Sequence, residues 1–196
     1  VEISRVSYIK FKGLHVRNVP QTYPYVYGAG YGFYLWGENH TTNPYAPGTI
    51  WFENCVAYHV PADGFKTHAF DTVYFINCDS YSNMDSLTTN ADVGGQGTGF
   101  NVGARLQTYD NADRTLVYMN GCRAWNNSDQ GIANGSRSRT IIENSWFISN
   151  GNNPLITNTE RKGSGIKLWF EALEGEADEC RNLTDLTQVV IRNCIF

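Results

Sequence analysis

The stretches WFENC (51–55), FINC (75–78), YMNGC (118–122) and VIRNC (190–194) repeat one phrase. Each phrase has an apolar run, then Asn or Gly, then Cys. Recurrence of one phrase along a chain is typical of solenoid proteins, in which every repeat forms one layer. Stacked thiols in such a column behave as small buried apolar side chains, so we expect these cysteines to be free and interior.

A second column consists of Gly followed by a large apolar residue. Ten residues separate Cys55 from Phe65, and ten again separate Cys122 from Ile132, while Cys55 and Cys78 are 23 residues apart. Short strands at this period, without a helical apolar pattern between them, predict an all-β fold: a right-handed parallel β-helix, or solenoid, of about six coils. The members of the second column are Gly32-Phe33, Gly64-Phe65, Gly99-Phe100, Gly131-Ile132 and Gly165-Ile166.

The composition limits the classes of protein and of partner. The 196 residues, 41% of them hydrophobic, are enough to bury one continuous core, so we expect a single β-helix domain over 1–196. A formal charge of −4 gives no basic surface, and we therefore expect neither a nucleic acid nor a membrane as partner. The first residues lack the pattern of a signal peptide, and we interpret the chain as a module excised from a larger multidomain protein.

Alternation within the short strands predicts which side chains face outward. If Phe65 and Thr67 point into the core, Lys66 and His68 point away from it. The same phase in every coil creates two outward rows that together form a candidate groove. The first row holds Tyr34, Lys66, Asn101, Ala133 and Lys167, and the second holds Trp36, His68, Gly103, Gly135 and Trp169.

Four phrases in order resemble a known family: CDSYSNMD (78–85), GTGFNVG (97–103), GCRAWNNSDQGIA (121–133) and GSGIKLW (163–169). They resemble the β-helical pectate lyases of polysaccharide lyase family nine, in which four aspartates bind calcium and a lysine acts as the base. The resemblance places the four ligand positions at Thr98, Asp129, Gln130 and Ala133, and the base at Lys167.

Only Asp129 keeps a carboxylate among those four positions. Calcium requires six to eight oxygen ligands, and its affinity depends on the number of carboxylates. We therefore expect no metal at the family position and no required cofactor. If calcium binds at a displaced position, the expected ligands are Asp85, Asp92 and Asp129, because Asn90-Ala91-Asp92 copies the family phrase NAD.

A lyase scaffold without its metal ligands also resembles the β-helical xylan-binding modules attached to gut bacterial xylanases. This resemblance implies a non-catalytic carbohydrate-binding module, not an enzyme, that holds a plant cell-wall polysaccharide, xylan or another hemicellulose, near an attached catalytic domain. It also implies a bacterial protein located outside the cell or on its surface. The expected sugar-binding residues are Trp36, Lys66, His68, Asn101, Asp129, Gln130, Lys167 and Trp169.

Three alternatives remain open at the level of function. The first is a polysaccharide lyase that cleaves a uronic-acid polymer by β-elimination with Lys167 as base. The second is an inverting glycoside hydrolase that uses Asp63 and Asp129. The third is a structural stalk without affinity for sugars.

Two further columns have a structural and a functional interpretation. Asn83, Asn127 and Asn150 follow the first column by five residues, and stacked asparagines at a β-helix turn can bond to one another. An aromatic line of Tyr58, Tyr81 and Trp125 is interpreted either as a ladder that stabilises the solenoid or as a platform for sugar rings.

Overall fold

The fold consists of three parallel β-sheets that wind around one core. A computed structural model describes residues 1–4, 8–20, 30–36, 48–68, 70–85, 96–103, 115–134, 138–151, 163–168 and 189–196. Along the chain the strands visit the three sheets, named A, B and C, in turn, so that three consecutive strands make one coil. Six strands in each of sheets A and B confirm the predicted parallel β-helix of six coils.

Each described strand pairs in parallel with strands that are three positions away along the chain. Sheet A contains β1 (Glu2–Ser4), β4 (Phe33–Trp36), β7 (Phe65–His68), β10 (Phe100–Gly103), β13 (Ile132–Asn134) and β16 (Ile166–Leu168). Sheet B contains β2 (Tyr8–Lys12), β5 (Thr49–Glu53), β8 (Thr72–Ile76), β11 (Thr115–Asn120), β14 (Ser138–Glu143) and β17 (Val189–Arg192). Sheet C contains β3 (His15–Arg17), β6 (Val56–Tyr58), β9 (Asp79–Tyr81), β12 (Arg123–Trp125) and β15 (Trp146–Ile148).

The core is built from identical side chains stacked on one another in successive coils. Phe33, Phe65 and Phe100 are paired in register and fully buried, with ring centroids 4.8 and 4.9 Å apart. Phe52 and Phe75 of sheet B stack in the same way at 5.0 Å and meet the first stack edge to face. Burial of one such ring stabilises the fold by about 2–3 kcal/mol, so these stacks hold the coils together.

The Asn or Gly before each cysteine has a conformational cause. The backbone turns from sheet B to sheet C at this position, and φ is 54° at Asn54, 51° at Asn77 and 68° at Gly121. This left-handed conformation is costly for most residues, whereas Gly adopts it freely and Asn tolerates it. The phrase that identified the repeat is therefore a turn signal as much as a core signal.

The four cysteines behind these turns are free, as predicted, and three of them are buried, whereas Cys194 in the last coil is half-buried, against the expectation of an interior position. Cys55, Cys78 and Cys122 have no exposed surface and form no disulfide. The thiol of Cys78 donates to the Phe52 carbonyl of the coil before it, 3.4 Å away. The hydrogen bond with Cys122 and burial raise the pKa of the Cys78 thiol, which disfavours its reactive thiolate form. Cys180 lies outside the described residues.

The asparagine column is a hydrogen-bonded ladder, which agrees with its structural interpretation. The side-chain amide of Asn83 donates to Oδ1 of Asn127, and that of Asn127 donates to Oδ1 of Asn150, both over 2.9 Å. Oδ1 of Asn150 also accepts the backbone N–H of Asn127 at 3.2 Å. All three residues are buried, so each amide satisfies groups that water cannot reach.

The aromatic line on sheet C is also a structural ladder. Tyr58 and Tyr81 stack at 4.8 Å, and Tyr81 and Trp125 at 4.2 Å, with interplanar angles of 10° in both pairs. A ring whose face lies against its neighbour cannot place that face against a sugar. Arg17 extends the ladder at its first coil by donating to the Tyr58 hydroxyl over 3.0 Å. The face-to-face geometry therefore does not favour the sugar-platform interpretation.

No segment within the described residues forms a helix with the length and hydropathy needed to cross a membrane.

Replacing Asn127 by Leu should lower the free energy of unfolding by about 2–5 kcal/mol, because it removes both amide–amide hydrogen bonds of the ladder and leaves the buried backbone N–H of Asn83 without the Asn127 oxygen that accepts it at 3.2 Å. Urea denaturation followed by circular dichroism measures the change. The control is Asn120→Ala on the outer face of β11, which removes a half-exposed amide and should cost no more than about 1 kcal/mol. Equal losses for the two variants would contradict the ladder's structural role.

Candidate functional site

The first outward row on sheet A lies as the sequence predicts. Lys66 pairs with Tyr34 on one side and with Asn101 on the other. The row continues through Ala133 to Lys167, which is exposed. Ala133 differs from the rest, because it is only 2% exposed despite its outward position. Lys66 and Lys167 therefore share one face of the sheet, three coils apart.

The second outward row is described only in part. Trp36 pairs with His68, and His68 pairs with Gly103. The rings of Trp36 and His68 lie 4.8 Å apart at an angle of 30°, so one face of the indole contacts the imidazole. Trp169 and Gly135 lie outside the described residues. Contact between this row and a saccharide stays a prediction.

Asp63, a buried carboxylate, lies in the turn that leads into β7 of sheet A, two residues before this strand begins. It has no exposed surface, and its two oxygens accept three hydrogen bonds or ion pairs. Oδ1 accepts the backbone N–H of Thr98 at 3.0 Å, and Oδ2 accepts the side-chain amide of Asn101 at 2.9 Å. The ammonium group of Lys66 lies 3.5 Å from Oδ2. All three partners are donors and therefore stabilise the ionised form.

Burial raises the pKa of the Asp63 carboxyl group, and Lys66, the Thr98 amide and the Asn101 side chain act in the opposite direction. Burial by itself would lower the pKa of Lys66, but Asp63 and Tyr31 outweigh it and raise that pKa. Lys66 Nζ lies 3.4 Å from the Tyr31 hydroxyl and 4.8 Å from the centre of its ring. Tyr31, Asp63, Lys66 and Asn101 are called the Asp63 network below.

Asp129 connects this network to Lys167. The hydroxyl of Thr98 lies 3.5 Å from Oδ2 of Asp129, and the side-chain amide of Gln130 donates to Oδ1. Burial and the negative charge of Asp63 raise the pKa of Asp129 to about 7, and Lys167 acts in the opposite direction. The site therefore contains two interacting carboxyl groups, each with a lysine nearby.

The residues at the family's calcium position do not fit that ion. Ala133 offers a methyl group, and Thr98 is 2% exposed with its amide bonded to Asp63. Asp129 is the one carboxylate among the four positions. Within the described residues no three His, Cys, Asp or Glu side chains form a group that could hold a metal. The absence of a metal at this position stays a prediction.

A displaced calcium site stays a prediction. Asp85 is buried, with 1% of its surface exposed, and its backbone N–H donates to the Ser128 hydroxyl at 3.4 Å. Asp92, the second expected ligand, lies outside the described residues. The geometry of the three proposed ligands is therefore a matter for experiment.

The Asp63 network is the part of the site that sequence reasoning missed. Asp63 was considered only as one carboxylate of a hydrolase, a role that does not suit a fully buried group with both oxygens bonded. The signal was present in the phrase ADGFK (62–66), which has the family's aspartate one coil before Thr98. Tyr31 occupies the same column one coil earlier still, directly before Gly32.

Comparison with known proteins identifies the family. A model described as the Pel9A-like right-handed β-helix region matches residues 1–195. Two curated relatives named pectate lyase L, from Dickeya chrysanthemi and Dickeya dadantii (strain 3937), are 30% and 31% identical to the chain over 168 residues. The alignments cover 83% of the chain and 32% of each relative, so the chain spans about a third of their length. No solved structure matches the chain.

The fold and these relatives define a polysaccharide-related protein with a right-handed parallel β-helix. The chain belongs to the Pel9A-like β-helix family.

The expectation that this chain is not an enzyme is wrong in the light of its family. Both relatives are named as lyases, and the family model is Pel9A-like over nearly the whole chain. One carboxylate at the four calcium-ligand positions does not by itself establish the loss of catalysis. The structure adds charged groups that this count omits, namely Asp63 and Lys66. Binding of xylan has no support from these comparisons.

Replacing Asp129 by Asn should flatten the dependence of stability on pH. The pKa is about 7 in the folded chain against an ordinary value of 3.8, so the folded chain holds this proton more tightly than the unfolded one. The free energy of unfolding therefore falls as pH rises between these values, by at most about 1.4 kcal/mol per pH unit. Urea denaturation at several pH values measures the slope, and an unchanged slope in the variant would contradict the assignment.

Proposed function

We propose that this chain forms the saccharide-binding and catalytic β-helix of a polysaccharide lyase that acts on a uronic-acid polymer. The observation that carries the proposal is the position of Lys167, which is exposed in the outward row of sheet A at the family's lysine position and close enough to Asp129 to influence its pKa. Membership of the Pel9A-like family and relatives named pectate lyase support the same reaction class.

The reaction is a β-elimination. The free amine of Lys167 takes the proton from the carbon next to the uronate carboxylate. The electron pair of that C–H bond forms a carbon–carbon double bond, and the bond from the neighbouring carbon to the glycosidic oxygen breaks. That oxygen leaves with the electron pair and gains a proton from solvent. The products are one ordinary sugar end and one unsaturated end that absorbs ultraviolet light.

The charges of the outward row favour an acidic polymer over a neutral one. Lys66 lies on the same face as Lys167, and hydrogen bonds from its ammonium group to carboxylates are roughly twice as strong as neutral ones. A neutral polymer such as xylan would depend on open aromatic faces, and one face of Trp36 already contacts His68. Because such polymers are too large to enter a cell intact, we place the protein outside a bacterial cell or on its surface.

Lys167→Met should reduce the formation of unsaturated ends from polygalacturonate by about 100-fold or more, the contribution expected of a general base. Ultraviolet absorbance is followed with calcium and with a chelator, and xylan serves as the neutral comparison substrate. The control is Lys10→Met, which makes the same change on the outer face of sheet B, where Lys10 pairs with Glu53. No product from polygalacturonate at high protein concentration, or equal rates for Lys167→Met and wild type, would refute the proposal.

A further inference from the structure

We propose that Lys66, held by Asp63 and Tyr31, is a built-in cation that binds the carboxylate of a uronate unit, so that saccharide recognition at this site needs no calcium. The substrate class rests on the proposed function. The residues that this chain has at the family's calcium position do not match the ligands that calcium requires.

Lys66 is fixed in place before any ligand binds. Its ammonium group carries three N–H bonds, and the described acceptors, Asp63 Oδ2 at 3.5 Å and the Tyr31 hydroxyl at 3.4 Å, account for two of them. The side chain is 16% exposed, in contrast with 55% for Lys10 on sheet B. Since the side chain is already ordered, binding an anion costs less conformational entropy than it would at a free surface lysine.

Asn101 supplies a second donor beside Lys66. It lies on the next coil in direct register, about 4.8 Å away by strand spacing, and one N–H of its amide goes to Asp63. A side-chain amide has two N–H bonds, and the residue is half-buried at the surface of the row. A carboxylate has two oxygens, so the ammonium of Lys66 and the amide of Asn101 can each donate to one of them.

The balance of charge removes the need for a metal. Four carboxylates in the family's cage create a strongly negative site that repels an anionic sugar unless calcium is bound. Here the two carboxyl groups of the site, Asp63 and Asp129, are accompanied by two lysines, Lys66 and Lys167. The Asp63–Lys66 pair carries no net formal charge without an added ion. An anionic sugar can therefore approach the row directly.

The spacing of the row fits a chain of sugars. Lys66 and Lys167 are separated by three strand spacings, roughly 14 Å. Asn101 and the small residue Ala133 lie between them. A carboxylate held at Lys66 therefore belongs to a different sugar unit from the one that reacts at Lys167. Lys66 acts on binding, and its loss should raise KM more than it lowers kcat.

The experiment is calorimetric titration of the whole chain with trigalacturonate in a chelator, with a parallel titration in calcium. Wild type should bind equally in both buffers. Lys66→Met should weaken binding about 10- to 100-fold, the range for one charged hydrogen bond, whereas Lys66→Arg and the control Lys10→Met should bind nearly as wild type does. Because Lys66→Met leaves Asp63 without its cation, the double variant Asp63→Asn with Lys66→Met tests the same loss with both charges removed.

Binding that disappears in the chelator and returns with calcium would overturn the inference. So would unchanged affinity in both the single and the double Lys66 variants, or no binding of trigalacturonate in either buffer. The proposed function fails separately. If binding without calcium depends on Lys66 but no unsaturated product forms, the subsite is supported and the lyase proposal is refuted. If cleavage requires calcium and is unaffected by the Lys66 variants, the lyase proposal is supported and the subsite is refuted.

Discussion

In-register parallel pairing is the constraint on which the rest of this structure depends. Each residue lies against its equivalent in the next coil, about 4.7–4.9 Å away, so a position is stable only if its occupants tolerate one another. Phenyl rings stack, and amides such as those of Asn83 and Asn127 donate and accept in turn. Like charges would repel. The outward row of sheet A accordingly separates Lys66 from Lys167 by a neutral amide and a methyl group.

The same constraint explains how a carboxylate can be fully buried in this site. Asp63 has no contact with water because the next coil packs over it. The same coil supplies the Thr98 amide and the Asn101 side chain as hydrogen-bond donors. Lys66, three residues later in the same coil, supplies the opposite charge. Removing one member of such a network leaves a buried charge uncompensated, which costs far more than an exposed ion pair contributes.

The repeated phrases made the fold predictable from sequence, because they mark equivalent positions in coils of different length and so indicate which residues pair. The rows and both columns follow from it, and the register of Lys66 with Asn101 was correct without any structure. The residues of the site were harder to predict from the sequence. The family's motif aligns its aspartate with Thr98, whereas the buried aspartate of this chain, Asp63, lies one coil earlier. Burial of an outward residue such as Ala133 also depends on neighbours that periodicity does not identify.

The function and the subsite that we propose together describe a lyase-type β-helix in which protein cations replace a bound metal. Sugar recognition and proton transfer then belong to two lysines of one row. A crystal structure with trigalacturonate bound in the presence of calcium tests this most directly. The account predicts a uronate carboxylate against Lys66 Nζ and the Asn101 amide, with no metal between the sugar and Asp129. A calcium ion bridging Asp129 and the sugar, or a saccharide on another face, would contradict it.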